Sequence, residues 1–355
     1  MDRDTVDVYE QRAQEWRDRR PARFPERARA LGEEVRRGAA RIDVGCGAGL
    51  HLEHLGNPVV ALDAAYAMVA LARDAAPDAL PMQADLEALP FRRGSVGGSW
   101  ARASYLHVRR ARLPYALMEL HRALEVSAPA AFTFRPGSNE GEIPDDEFAG
   151  RLFAEWDTEP LRDVVVGAGF TVDEMVLEGE WINVHATRAR TLPDFVRPDM
   201  ELLVCGLNPS EYAADVGVGF ARPGNRFWPA ALAAGLVSRD REPAHALSEH
   251  GMGMTDLVKR ATKSADALSK ADYIDGVARV ERLVRWLQPN AVCFVGFAGW
   301  RAAIDPKAKA GEQRQGFGHR PVYVMPNPSG INANATLDDI TEHLRAAAAL
   351  ATRST

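Results

Sequence analysis

Two stretches of this 355-residue chain run an apolar strand into a glycine: Arg41-Ile42-Asp43-Val44-Gly45 and Leu202-Leu203-Val204-Cys205-Gly206. Each starts its own alternation of strands and helices. Short strands that are apolar on both faces, with helical periodicity between them, need crossover connections and a parallel sheet. In the first series, Arg41–Val44 and Val59–Asp63 read as strands, and so does the later run Ala130–Phe134. Helical patterns open at Leu50–Leu55 and Tyr66–Ala76. Residues 161–187 read as a helix broken at Gly167-Ala168-Gly169, then a hairpin of two alternating strands, Val172–Leu177 and Trp181–Thr187. The rhythm then restarts, with strands expected at 200–205, 291–296 and 321–325 and helices near 226–235, 275–287, 298–304 and 336–351. The expected fold class is α/β in two domains, each a mainly parallel sheet flanked by helices. Residues 188–198, with two prolines, several charges and no periodicity, are expected to link a domain at 1–187 to one at 199–355.

Composition narrows the function classes. The apolar fraction of 46% and charged fraction of 26% are those of a soluble globular protein. The longest apolar runs, such as Val164-Val165-Val166, are far too short for a bilayer, and the charged start Met1-Asp2-Arg3-Asp4 predicts no secretory leader. Cys46, Cys205 and Cys293 show no pairing or zinc spacing, which fits a reducing cytoplasm without disulfides or metal. The net charge of −6 is unevenly shared: residues 199–355 carry 18 basic and 17 acidic residues, leaving −7 to residues 1–198. A local basic face is therefore expected only in the second half, around Arg222, Arg226, Lys259, Arg260 and Lys263.

The first glycine turn, Asp43-Val44-Gly45-Cys46-Gly47-Ala48-Gly49, closes a strand and opens a helix. Its glycines let the backbone bend sharply and approach a ligand closely. Asp63 ends the next strand, where nucleotide-binding folds place an acid against ribose hydroxyls. Asp85, in Gln83-Ala84-Asp85-Leu86, follows a third short strand and could meet an adenine amino group. This segment, over roughly residues 8–187, resembles the class I S-adenosylmethionine-dependent methyltransferases. The resemblance implies that Asp43, Gly45, Gly47 and Gly49 approach the methionine moiety, Asp63 the ribose, and Asp85 with Leu86 the adenine of S-adenosyl-L-methionine. It names no methyl acceptor. His107, His121 and His185 are read as surface or core-edge residues, and methyl transfer needs proximity more than a base.

The second glycine turn delivers an amide, Gly206-Leu207-Asn208-Pro209, and a second polar loop, Asn327-Pro328-Ser329-Gly330-Ile331, follows the last strand. Removing a base from DNA requires that it leave the stack, be gripped, and depart while water reaches the sugar. Asn208 can hold that water, Phe220 can stack under a pyrimidine, and Ile331 can fill the vacated gap. Asn327, Ser329 and Gly330 can meet phosphate or the partner base. Phe227 and Trp228 read as core, and Asn225 and Arg226 as braces of the loop. Five blocks in order closely resemble the mismatch-specific uracil/thymine-DNA glycosylases: Gly206–Pro209, Gly219–Ala221, Pro223–Trp228, Gly251–Val258 and Met325–Ala333. The resemblance implies an α/β/α glycosylase fold without a cofactor. It also implies base excision repair on double-stranded DNA with G:U or G:T mismatches, with Asn208 catalytic, Phe220 stacking and Ile331 intercalating.

Two departures stand out. Ser210 replaces the family's usual Gly after Asn-Pro and is expected to crowd the water pocket, and Ala333 stands where some members have an Arg. Asparagine is a poor base, so slow turnover by water positioning is expected. The leading expectation is a glycosylase fused to a methyltransferase. The alternatives are a glycosylase with a regulatory cofactor-binding module, and a small-molecule methyltransferase with a non-catalytic DNA-binding domain.

Overall fold

The computed structural model describes residues 1–21, 24–144 and 146–353. They form two compact α/β units, Met1–Ala189 and Arg190–Thr355.

The first unit is built on β1 (Arg41–Val44), β2 (Val59–Asp63), β3 (Leu80–Gln83), β4 (Gly98–Ala101) and β5 (Pro129–Pro136). These run parallel in the order β3-β2-β1-β4-β5. The short strands β6 (Glu140–Gly141) and β7 (Phe153–Trp156) extend the carboxyl end of β5. The hairpin β8 (Phe170–Glu178) and β9 (Trp181–Arg188) closes the other flank, with β9 antiparallel to β5. All four residues of β1 are buried, as expected for a central strand under helices on both faces. The turns after β1 and β2 therefore open at the carboxyl edge of the sheet, where the strand order reverses and α/β folds bind ligands.

The second unit holds β10 (Leu202–Gly206), β11 (Met252–Asp256), β12 (Ala291–Val295), β13 (Gly311–Glu312) and β14 (Val322–Met325), in the order β11-β10-β12-β14-β13. All pairs are parallel except the edge strand β13. Phe227 and Trp228 are fully buried, as the sequence reading expects, and lie in one of two apolar layers that sandwich the sheet. Two expectations change here. Strand β11 was read only as a motif, yet it pairs with β10 along its whole length. The segment expected as a linker does not run free. Phe195 pairs with Met254 through both backbone groups, Val196 is buried, and Asp194 is 3% exposed. Its prolines interrupt regular structure without lifting it off the core. Among the described residues no helix is long and apolar enough to cross a membrane. The three cysteines are buried and unpaired.

Candidate active sites

In the first unit a cavity of about 520 Å³ opens over the ends of β1 and β2. Asp43, Gly45, Gly47, Asp63 and Leu86 line it, five of the seven residues singled out from sequence. Asp63 shapes the glycine turn: one carboxylate oxygen accepts from Gly47 N at 2.9 Å and the other from Ala65 N at 3.0 Å. Burial pushes its carboxyl up to about 6, while those amides pull it down. Asp43 is 2% exposed and its Oδ2 has no hydrogen-bond partner among the described residues. Burial, and then the nearby Asp63 charge, push it up to about 8. A buried polar atom without a partner is costly unless a ligand satisfies it.

Two residues take other roles. Gly49 sits at φ +82°, and a Cβ there would come within 2.9 Å of Ala72 Cα. It lets the helix Tyr66–Ala75 pack close and does not line the cavity. Asp85 lies outside the same wall. Its carboxylate accepts from Glu87 N at 2.8 Å and from the Met1 ammonium at 2.8 Å, so it closes a turn and anchors the first residue. Conversely, the cavity is lined by His107, expected to be a surface or core-edge residue. His107 Nδ1 lies 2.6 Å from Leu152 O and its Nε2 2.9 Å from the Tyr9 hydroxyl. Burial holds this imidazole down to about 4, so it is neutral at pH 7. His121 and His185 do behave as structural residues. The first is buried under Gly169, and the second sits between Glu34 and Asp173.

In the second unit the chain beyond β10 stays zipped to the chain beyond β11. Leu257 N donates to Gly206 O, Val258 N to Leu207 O, and Thr262 N to Pro209 O, at 2.9 to 3.1 Å. This ladder holds Asn208 in place. Its Nδ2 donates to Thr262 Oγ1 at 2.8 Å, Arg260 O at 3.0 Å and Pro209 O at 3.2 Å. Two of these three acceptors are carbonyls, which can only accept, so the amide is oriented with its nitrogen toward the ladder. Among the described residues no donor reaches Oδ1, which is left to accept from outside the protein.

Phe220 is held at φ +56°, and its ring stacks on Phe227 at 4.3 Å between centroids with planes 23° apart. Its ring tip also lies over Gly206. The Asn327–Ile331 loop stands beside the Phe220 loop. Arg226 Nη1 donates to Ser329 O at 3.0 Å and Asn332 O at 3.1 Å, and its backbone N to Pro328 O at 2.9 Å. Asn225 Oδ1 caps Phe227 N at 2.9 Å. Both residues are therefore loop braces, as expected. Asn327 Oδ1 accepts from Ser329 N at 2.9 Å, closing a tight turn that leaves Ile331 93% exposed.

Three expectations are revised in this unit. Ser210 does not crowd Asn208. It caps the helix Glu211–Val216, and its Oγ accepts from Ala213 N at 3.1 Å. The basic face shrinks: the Lys259 side chain is buried against Asp194 and Arg226 is spent on the loops, while Arg260, paired with Asp272, stays exposed along with Arg222 and Lys263. Asp256, unmarked in the sequence reading, ends β11 directly opposite Gly206. Its carboxyl is so close that a Cβ on Gly206 would collide with it. Burial, only partly offset by Lys259, pushes Asp256 up to about 6. Around it lies a buried ionic cluster. Asp194 accepts from Thr255 Oγ1 at 2.7 Å, Lys259 Nζ at 2.8 Å and Arg279 Nη1 at 2.8 Å, and Arg279 Nη2 donates to Asp256 O at 2.8 Å. Burial opposes ionisation of Asp194, but Arg279 and Lys259 outweigh it and hold the carboxyl below its ordinary value.

The folds and sites thus define two α/β enzyme-type units, each with polar groups gathered at the carboxyl edge of a parallel sheet. Residues 193–350 match the family model of the uracil DNA glycosylase superfamily, and residues 42–129 match that of a methyltransferase domain. The chain carries one domain of each kind. Similar solved structures include an S-adenosylmethionine-dependent methyltransferase from Mesorhizobium loti, 19% identical, covering 46% of this chain and 96% of that one, with a TM-score of 0.39. A methyltransferase from Aquifex aeolicus is 20% identical and covers 53% of this chain and all of its own, at a TM-score of 0.38. One from Methanosarcina mazei is 14% identical and covers 45% and 97%, at 0.40.

Proposed function

We propose that the second domain hydrolyses the N-glycosidic bond of uracil opposite guanine in double-stranded DNA, with thymine or a modified pyrimidine as a further substrate. The observation that carries this reading is the fixed amide of Asn208, whose nitrogen is tied to three acceptors while its oxygen is left to hold a water. In this reading the flipped base stacks on the face of Phe220 that Phe227 does not cover. Ile331, an isoleucine that water would otherwise surround, enters the gap in the stack. As the C1′–N1 bond breaks, its electron pair leaves with the base and positive charge develops on the sugar. The water held by Asn208 adds its oxygen at C1′ and loses a proton. The Asp256 carboxylate, beside Gly206, supplies negative charge near that sugar and a group able to take up the proton. Tests on the full chain are direct. A duplex with a single G:U pair should be cut after alkali, and Asn208→Ala should slow cleavage at least a hundredfold. Wild-type protein that leaves the strand intact, or a variant as fast as wild type, refutes the assignment.

For the first domain we infer S-adenosyl-L-methionine-dependent methyl transfer. The cavity fits this ligand: the orphaned Asp43 oxygen meets a cationic portion, and Asp63 beside the Gly45–Gly47 turn meets ribose hydroxyls. When bound, the cofactor supplies an electrophilic methyl group. The protein's part is to orient the two reactants and exclude water. Calorimetry with S-adenosylhomocysteine checks this. Binding should be lost in Asp63→Ala, and an unchanged heat would count against the cofactor reading.

A further inference from the structure

One wall of the cavity in the first unit is an alternating stack of aromatic rings and guanidinium groups. Arg102 Cζ lies 4.7 Å from the Phe24 ring centroid and 5.5 Å from that of Trp181. Arg135 Cζ lies 5.9 Å from the Trp181 centroid and 5.8 Å from that of Phe153. Trp181 therefore serves both cations, and Arg102, Arg135, Phe153 and Trp181 all line the cavity. A guanidinium that uses its faces for stacking keeps its N–H edge for in-plane acceptors, the geometry that suits a carboxylate. Two other arginines of the cavity are ion-paired, Arg20 with Glu147 and Arg151 with Asp146. Arg135 Nε is different. It is buried with no hydrogen-bond partner among the described residues, and Glu155 lies 3.9 Å away. The other Glu155 oxygen accepts from Asn139 N. Phe24, at the end of the stack, adopts a left-handed backbone at φ +59°, a conformation that aromatic residues seldom take.

We propose that this wall is the anchoring site for the methyl acceptor, and that the acceptor is a small planar aromatic molecule carrying an anionic group. The anion is held on the N–H edge of Arg135, and the ring lies among Trp181 and Phe153. The proposal rests on the reading of this cavity as the methyl-transfer site. It adds the charge and shape of the substrate, which the glycine turn and Asp63 do not determine.

The test uses the full chain and three matched probes: 4-hydroxybenzoate, 4-hydroxybenzamide and phenyl phosphate. Binding is read by calorimetry and by quenching of tryptophan fluorescence, with and without S-adenosylhomocysteine. The expected result is that at least one anion binds ten times or more tightly than the neutral amide. That preference should disappear in Arg135→Gln and shrink in Arg135→Lys, and Trp181→Phe should remove most of the quenching. Carboxylate against phosphate identifies which anion the wall prefers. Equal affinity for acid and amide, no anion binding, or full anion affinity in Arg135→Gln overturns the proposal. S-adenosylhomocysteine affinity is measured on every variant. Its retention shows that the cavity is folded. Its absence in wild type counts against the cofactor reading alone, because anion preference is scored without it.

Discussion

The buried cluster around Asp194 makes a quantitative prediction. Asp194 accepts three hydrogen bonds of 2.7 to 2.8 Å and is the counter-charge for Lys259 and Arg279, whose side chains are 8% and 7% exposed. Asp194→Ala leaves two buried cations without the anion that hydrogen-bonds to both, and breaking a buried pair on one side costs about 3–5 kcal/mol. That is a large share of the roughly 5–15 kcal/mol that stabilises a typical domain. Because Arg279 also holds Asp256 O, the loss should concentrate in β11 and the ladder that fixes Asn208. Hydrogen exchange on the full chain resolves this by segment. Amides of Met252–Val258 that open with the cluster should exchange about 10²- to 4 × 10³-fold faster in the variant, since each 1.4 kcal/mol is a factor of ten. Amides of β1 and β2 in the other unit should not change. Less than a tenfold effect in β11, or equal effects in both units, would refute the assignment. The pH dependence has a defined sign. The native carboxyl lies below its unfolded value of about 3.9, so its contribution is complete above that pH and is lost as pH falls through the lower native value.

Four further outcomes follow from the geometry. Asp256 is raised to about 6, so if its carboxylate assists hydrolysis, the cleavage rate should climb through pH 6, and Asp256→Asn should flatten that climb. The same raised value means that stability from this group is present below about pH 4 and fades as pH passes 6, the opposite sense to Asp194. Ile331→Gly should slow single-turnover cleavage of a paired duplex far more than that of single-stranded uracil DNA, a contrast read in one gel assay. Ser210→Ala should cost about 1 kcal/mol of local stability as a lost helix cap, while base cleavage changes less than threefold. Gly49→Val should loosen the helix Tyr66–Ala75, seen as a lower thermal midpoint before any direct effect on ligand contact.

What the sequence revealed depended on the range of the interactions. The turn from Asp43 to Gly47 and the acid at Asp63 were legible because strand, turn and acid are set by local periodicity and glycine placement. The Asn208, Phe220 and Ile331 loops were legible for the same reason. Strand β11 was not, because Met252-Gly253-Met254-Thr255 carries a glycine where a strand normally wants a side chain. The fold explains it: a Cβ on Gly253 would strike the sulfur of Met200 and approach Phe195 O at 3.1 Å. The segment around Asp194 was taken for a linker because its partners lie 61 to 85 residues further on. Asp85 was placed at the ligand because its position after a strand looks like that of Asp63, and only the fold shows it turned to Met1. The Arg–aromatic wall was unreadable because its members come from five separate segments.

The tie between Arg226 and the Ile331 loop has a mechanical meaning. A side chain that enters stacked bases must push without being pushed back, and a lone loop of six or seven residues would simply recoil. Here the loop is bolted through four backbone carbonyls to the residue next to Phe227, whose ring backs Phe220. In the proposed reading, wedge and base platform share these braces, so a load on Ile331 is passed on to the residues that back Phe220.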